Sequence, residues 1–217
     1  MRLLFLGNSF TYYNGGLETH VRLLAQGAKT PLLMEADRVT KGGATLKILQ
    51  GIPEVHTAIQ SGRYDWVILQ DDIPEFVDHN LSHFAEEVRR LQDEIKPTGA
   101  RTALFMAWPY QRLNWVSLEQ IENAHRTVGR ENGIPVAPVG SAFRQSLLLQ
   151  PSLAMLAPDR EHETIHGTYL AACVILATVT GINPVGATYR PAGISAAEAS
   201  HLQQIAWTGV QSWNSTP

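Results

Sequence analysis

The sequence predicts an α/β protein: a three-layer α/β/α sandwich with a central parallel sheet of about five strands. Three observations point there. Short all-apolar runs bounded by turn residues recur along the chain, Leu3-Leu4-Phe5-Leu6 and Trp66-Val67-Ile68-Leu69 being the clearest. Such runs read as strands buried on both faces. Segments with apolar residues at helical spacing separate them, which is the signature of βα units wound on both faces of a sheet. At 217 residues and 44% hydrophobic content, the chain is long enough for such a core and reads as a single domain, 1–217.

In order along the chain, the Leu3–Leu6 strand runs into Gly7, which is expected to permit a sharp turn, and Asn8-Ser9 then stand at the sheet edge. Leu17, Val21, Leu24 and Ala28 mark a helix. A second strand is expected at Pro31–Ala36, then a loop over Thr40–Thr45 and a short helix over Glu54–Ser61. Trp66–Leu69 is a central strand ending in Gln70-Asp71-Asp72. A helix from Ser82 to Lys96 closes at Pro97 and Gly99, and Thr102–Ala107 delivers Trp108-Pro109-Tyr110 into a loop. Ser117–Asn132 is helical and stops at Gly133. The prolines of Pro135–Val139 place a fifth strand at the sheet edge. A short helix at Phe143–Leu149, an Ala-rich helix at Thr164–Thr180 and a last helix opening with the capping box Ser195-Ala196-Ala197-Glu198 complete the chain. Strand order does not follow from this pattern.

Composition excludes several classes. A net charge of -3 with dispersed Lys and Arg gives no basic stripe for nucleic acid. No apolar run approaches the length of a membrane span. One cysteine, Cys173, excludes an intramolecular disulfide and reads as a small buried hydrophobe. The cytoplasm is slightly favoured on this ground, since no signal peptide precedes Leu3 in the chain as given; removal of one would allow a periplasmic or secreted location. The oligomeric state is not legible.

The chemistry concentrates at two ends of the chain. Ser9 stands where the first strand leaves the sheet, the edge at which open parallel sheets bind ligands. Far away, Asp159 and His162 lie three residues apart just before a helix. In a turn, that spacing lets a carboxylate hold one imidazole nitrogen while the other faces outward, the orienting pair a serine nucleophile needs.

With these blocks the chain resembles the SGNH (GDSL-type) hydrolases. Gly7-Asn8-Ser9 matches the family's first block, with Asn8 where Asp is usual, and Asp159-x-x-His162 matches its last. The following Gly167-Thr168-Tyr169-Leu170-Ala171-Ala172 is similar to the helix found there, and Gly42 or Gly43 matches the loop glycine of the second block. The third block departs: the family presents Gly-x-Asn-Asp after the central strand, and this chain has Gln70-Asp71-Asp72. The resemblance implies the SGNH fold and a serine esterase with Ser9 as nucleophile, His162 as base and Asp159 as its orienter. It implies oxyanion donors from the amides of Ser9 and Gly43 (or Gly42), with the Gln70 side chain in place of Asn. No cofactor or metal is expected. The expected substrate is a small-molecule or carbohydrate ester with a small acyl group such as acetyl. Tyr12, Trp108 and Tyr110 follow strand ends as candidate substrate-stacking aromatics, beside Tyr13, Asn14, Gln111 and Arg112.

Two rival readings come from other classes. A non-catalytic binding module on the same fold is suggested by the departed third block. A zinc peptidase is suggested by His162-Glu163-Thr164-Ile165-His166, a literal HExxH. Tyr169 and Ala172 stand where the extended zinc pattern needs Gly and His, and a peptidase gives Ser9 and Asp159 no role. His20, His56, His125 and His201 are expected on helix surfaces, and His79 and His83 beside Asp78 as caps or a weak metal site.

Overall fold

The computed structural model describes residues 1–72 and 82–215. Strands β1 (Arg2–Gly7), β2 (Glu35–Thr40), β3 (Trp66–Gln70), β4 (Arg101–Phe105) and β5 (Val136–Ala137) form an all-parallel sheet in the order β2-β1-β3-β4-β5. The helices are α1 (Ser9–Tyr12), α2 (Leu17–Gly27), α3 (Leu46–Leu49), α4 (Pro53–Gln60), α5 (Ser82–Ile95), α6 (Leu118–Asn132), α7 (Val139–Leu149), α8 (Ile165–Thr180) and α9 (Ala196–Ser215). The expected three-layer sandwich on a five-stranded parallel sheet is therefore present.

Strand order explains where a site can form. The chain passes from β1 outward to β2, then crosses back over β1 to β3 and continues to β4 and β5. Right-handed crossovers in opposite directions put their helices on opposite faces. Accordingly α2, α8, α9 and α7 pack together, and α4, α5 and α6 make a separate layer. The direction reverses between β1 and β3, the place at the carboxyl ends of the strands where open parallel sheets bind ligands. Ser9 leaves the sheet at the end of β1, and Gln70-Asp71-Asp72 at the end of β3.

The two best-read strands are the most buried: every residue of β3 and all of β1 except Arg2 are inside. Helix α8 is apolar around nearly its whole circumference because α2, α7 and α9 cover the faces the sheet does not.

The expected second strand is displaced. Pro31–Leu33 lie outside it, and β2 is Glu35-Ala36-Asp37-Arg38-Val39-Thr40, registered from Arg2↔Glu35 to Gly7↔Thr40. It is an edge strand without a fully buried residue, so it carries no apolar run for a pattern search to find. Helix α7 starts at Val139 rather than Phe143, and α1 and α3 are single turns below the length at which periodicity is visible. His20 and His125 are buried rather than exposed: His125 Nδ1 donates to Ile121 O (2.8 Å), its ring packs on Phe84, and burial lowers its pKa to about 4. Cys173 is buried as expected. Asp78 and His79, the suggested partners of His83, lie outside the described residues.

Candidate active site

Local structure sets Ser9 in place first. Asn8 caps α1, its Oδ1 accepting the Phe10 N–H at 3.1 Å, so Ser9 is the first residue of a one-turn helix starting directly off β1. Gly7 works differently from expectation. It is not among the positive-φ glycines, so no unusual turn conformation is needed there. A Cβ at Gly7 would instead fall 2.6 Å from Gln70 Oε1 and closer still to Thr11 Oγ1. Glycine is required for close approach of the neighbouring side chains.

The second loop arrives from the far end of the chain. Asp159 Oδ1 accepts the N–H groups of Glu161 and His162, both at 3.0 Å, which folds 159–162 into a tight turn. Arg160 takes a φ of 55°, a left-handed conformation that side-chain-bearing residues rarely adopt. The turn closes further through Ala157 N–H to His162 O at 2.8 Å. Asp159 Oδ2 is then left for His162 Nδ1 at 2.8 Å, and His162 Nε2 stands 3.0 Å from Ser9 Oγ. The backbone N–H of Glu161, and then the His162 side chain, hold the Asp159 carboxyl below the usual range. Thus the structure brings Ser9 to the Asp159–His162 pair, although Ser9 and His162 lie 153 positions apart in the chain.

Aromatic rings fix the imidazole. Tyr13 stacks on His162 at 4.3 Å and 10°, and Phe10 meets it edge-on at 5.7 Å and 70°. Asn14, at φ 50°, holds Tyr13 there: its Nδ2 donates to Glu163 O (3.0 Å) and Thr168 Oγ1 (2.8 Å), tying the turn after α1 to the His162 loop.

The third loop carries Gly42 and Gly43. Lys41 N–H donates to Gly7 O at 3.2 Å and Ala44 N–H to Lys41 O at 3.1 Å, making a turn beside the β1 end. Gly43 has φ 63°, and no acceptor among the described residues takes its N–H or that of Ser9. Asn8 Nδ2 donates across to Ala44 O at 3.3 Å, so the Ser9 and Gly43 turns are linked directly.

Several sequence expectations are corrected. Gln70 is not turned toward Ser9 as a side-chain donor. Its Oε1 accepts the Asn8 N–H at 2.8 Å and the Thr11 hydroxyl at 3.1 Å, and its Nε2 donates to Asp71 O at 2.9 Å. The Asn8 N–H can only donate, which fixes the amide orientation. Trp108 and Tyr110 offer no face to a substrate, each being 3% exposed. Trp108 is packed between Phe10 (4.8 Å) and Phe143 (4.1 Å, 7°), and Tyr110 donates to Asp72 Oδ1 at 3.1 Å. Arg112 grips Glu161 with two bonds of 2.8 and 3.0 Å, and the Asn14 amide is spent on the His162 loop. Tyr12 and Tyr13 remain at the surface, with Tyr12 Oη 3.0 Å from where a Gly42 Cβ would stand. An apolar cleft of about 320 Å³ lies among Trp108, Pro109, Phe143, Leu147, Leu148 and Leu156, and neither Ser9 nor His162 lines it.

The HExxH match does not form a helical ligand pair. Helix α8 starts at Ile165 with Thr164 as its N-cap, so His162 sits in the preceding loop, bonded at both nitrogens to Asp159 and Ser9. His166 is 3.4 Å from Glu198, and Glu163 is buried, which pushes its carboxyl well above the usual range. Among the described residues no group of three or more His, Cys, Asp or Glu is placed to hold a metal ion.

No family model matches the chain, and no curated protein does. Solved structures do. A DUF4886 family protein from Bacteroides uniformis superposes with a TM-score of 0.76 at 18% identity, over 97% of this chain and 95% of that one. Axe2, an acetylxylan esterase from Geobacillus stearothermophilus, gives 0.64 at 20% identity, over 87% and 94%. LAE5, an α/β hydrolase enzyme from the metagenome of Lake Arreo in Spain, gives 0.65 at 16%, over 81% and 93%. At these identities the likeness is one of fold. Among the described residues no helix is long and apolar enough to cross a membrane.

Proposed function

We propose that this chain is a serine ester hydrolase of the SGNH type that removes a small acyl group, acetyl above all, from a carbohydrate or similar small ester. The observation that carries the reading is the relay of 3.0 Å from Ser9 Oγ to His162 Nε2 and 2.8 Å from His162 Nδ1 to Asp159 Oδ2. Both distances lie in the range a nucleophile and its oriented base need.

His162 Nε2 takes the Ser9 proton as Oγ attacks the ester carbonyl, and Asp159 holds the Nδ1 tautomer and the imidazolium that forms. The N–H groups of Ser9 and Gly43 receive the oxyanion. The proton on Nε2 passes to the departing alcohol, leaving an acyl group on Ser9. Water, deprotonated by the same nitrogen, attacks that acyl group and returns Ser9. The acetyl preference is supported by the fold likeness to an acetylxylan esterase and by the half-exposed Tyr12 and Tyr13 beside Ser9, which suit a sugar ring better than a long chain.

A chain-length series of p-nitrophenyl esters tests this. Rates should fall steeply beyond about four carbons, because each added methylene left without a pocket forfeits ~0.8 kcal/mol. A maximum at about eight carbons or longer would contradict the small-acyl reading and direct attention to the Trp108–Leu148 cleft. Turnover no faster than that of Ser9→Ala with every ester would favour a binding module.

A further inference from the structure

The carboxyl end of β3 carries three consecutive polar side chains, and all three are buried: Gln70, Asp71 and Asp72 are 1%, 2% and 3% exposed. Burying an amide and two carboxyls in sequence is costly unless each is used. Each is used on a different loop.

Gln70 holds the Ser9 turn. Its Oε1 accepts the Asn8 N–H and the Thr11 hydroxyl, which bracket Ser9 on either side, and only a glycine at position 7 leaves room for it. Asp71 holds the Gly43 loop. Its Oδ1 accepts the Leu46 N–H at 2.9 Å and its own neighbour's N–H, that of Asp72, at 2.8 Å. The other oxygen, Oδ2, is buried without a partner among the described residues, so the carboxyl's bonds all run through the oxygen facing that loop. Asp72 reaches the His162 loop through two side chains. Its Oδ1 accepts from Tyr110 Oη, Tyr110 Oη accepts from Arg112 Nη2 at 3.3 Å, and Arg112 grips both carboxylate oxygens of Glu161, the residue before His162.

We propose that Gln70, Asp71 and Asp72 are positioning residues that register the three loops meeting at Ser9, one loop to each residue. The proposal rests on the esterase reading given above. β3 suits the task because it is wholly buried and paired on both edges, with β1 on one side and β4 on the other. Loops tied to it inherit its rigidity, and catalysis by fixed donors depends on sub-ångström placement. The residues that depart from the family's third block thus take up a scaffolding task at the same place.

The test is hydrogen exchange, read loop by loop, together with steady-state kinetics on Asp71→Ala, Asp71→Asn and Gln70→Ala. Asp71→Ala should speed amide exchange in 41–46 and leave 8–13 and 157–163 unchanged; Gln70→Ala should speed it in 8–13. Asp71→Ala should lower kcat by roughly 10- to 100-fold with KM within about threefold, since donor placement matters in the transition state and little in the ground state. Asp71→Asn keeps an oxygen for the Leu46 N–H and should restore kcat to within about fivefold of the wild type. Exchange that rises everywhere or nowhere, or an Asp71→Ala enzyme with undiminished kcat, would overturn the proposal. The exchange arm does not depend on activity: loop-selective changes in a protein that hydrolyses no ester would uphold the loop registration and overturn the esterase reading alone.

Discussion

At the scale of single residues, the site is a set of groups already committed to one another before any substrate arrives. Asp159 accepts three hydrogen bonds, two from backbone and one from His162, and this leaves its ring partner a single orientation. Asp159→Asn should keep the fold of the turn, because an amide oxygen can still accept the backbone N–H groups. It would present an NH₂ to His162 Nδ1 and favour the wrong tautomer, so kcat should fall about 10³- to 10⁴-fold with KM little changed. Steady-state kinetics on the best short-chain ester checks this, and a loss below about tenfold would deny Asp159 its orienting role. Residue types and spacing single out Ser9, Asp159 and His162 in the sequence, and the structure places the three side chains in hydrogen-bond contact. For Tyr13 and Asn14 the sequence suggests contacts to a substrate; their contacts to His162 and Glu163 cross some 150 positions, which no local pattern states. The orientation of the Gln70 amide escapes the sequence for the same reason: its partners, Asn8 and Thr11, are set by the pairing of β1 with β3.

At the scale of elements, the loop bearing Asp159 and His162 is anchored by the start of α8. Thr164 Oγ1 accepts the Gly167 N–H and donates to Ala154 O at 2.5 Å, so one hydroxyl caps the helix and fastens the preceding loop. Thr164→Ala should cost about 1 kcal/mol, which for a chain of this length lowers the melting temperature by about 2–4 °C. Calorimetry would show it, and an unchanged midpoint would mean that the cap is dispensable. Long apolar or strongly periodic elements were readable: β1, β3, α5, α6 and α8 fall where hydrophobic pattern, caps and stop signals put them. β2 was not, since as an edge strand it buries none of its residues fully and its identity rests on backbone pairing to β1. The single turns α1 and α3 are held by caps at Asn8 and Thr45 rather than by periodicity, which is why they escape it.

At the scale of the whole molecule, the buried carboxyls at the end of β3 make stability depend on pH in a predictable direction. Burial pushes Asp71 up to about 7 and Asp72 up to about 6, with the nearby acidic charges of Glu87 and of Asp71 adding to the shifts. The folded protein therefore binds these protons more tightly than the unfolded chain. The resulting stability is complete below about pH 4 and is lost as the pH rises through about 7. His125 acts oppositely: its lowered value removes stability as the pH falls from about 6.5 toward about 4. Because the two windows overlap, the informative quantity is the difference between the wild type and Asp71→Asn, which carries the same His125. The melting temperature of Asp71→Asn relative to the wild type should climb as the pH is raised from about 5 to about 9, by the equivalent of a few kcal/mol at most. A difference that is flat or falls over that range would show that Asp71 stays ionised. The strand order that brings these carboxyls beside Ser9 could not be read from the sequence, because βα alternation is compatible with many orders. Once that order is known, the position of the site at the β1–β3 reversal follows from topology.

The central claim is that Ser9 is a nucleophile activated by His162, and the most direct measurement is covalent labelling by a fluorophosphonate followed by intact-mass and peptide analysis. The account predicts one adduct per chain, located on Ser9, absent in Ser9→Ala and formed at least about 100-fold more slowly in His162→Ala. Labelling elsewhere, or equal labelling of Ser9→Ala and the wild type, would contradict it.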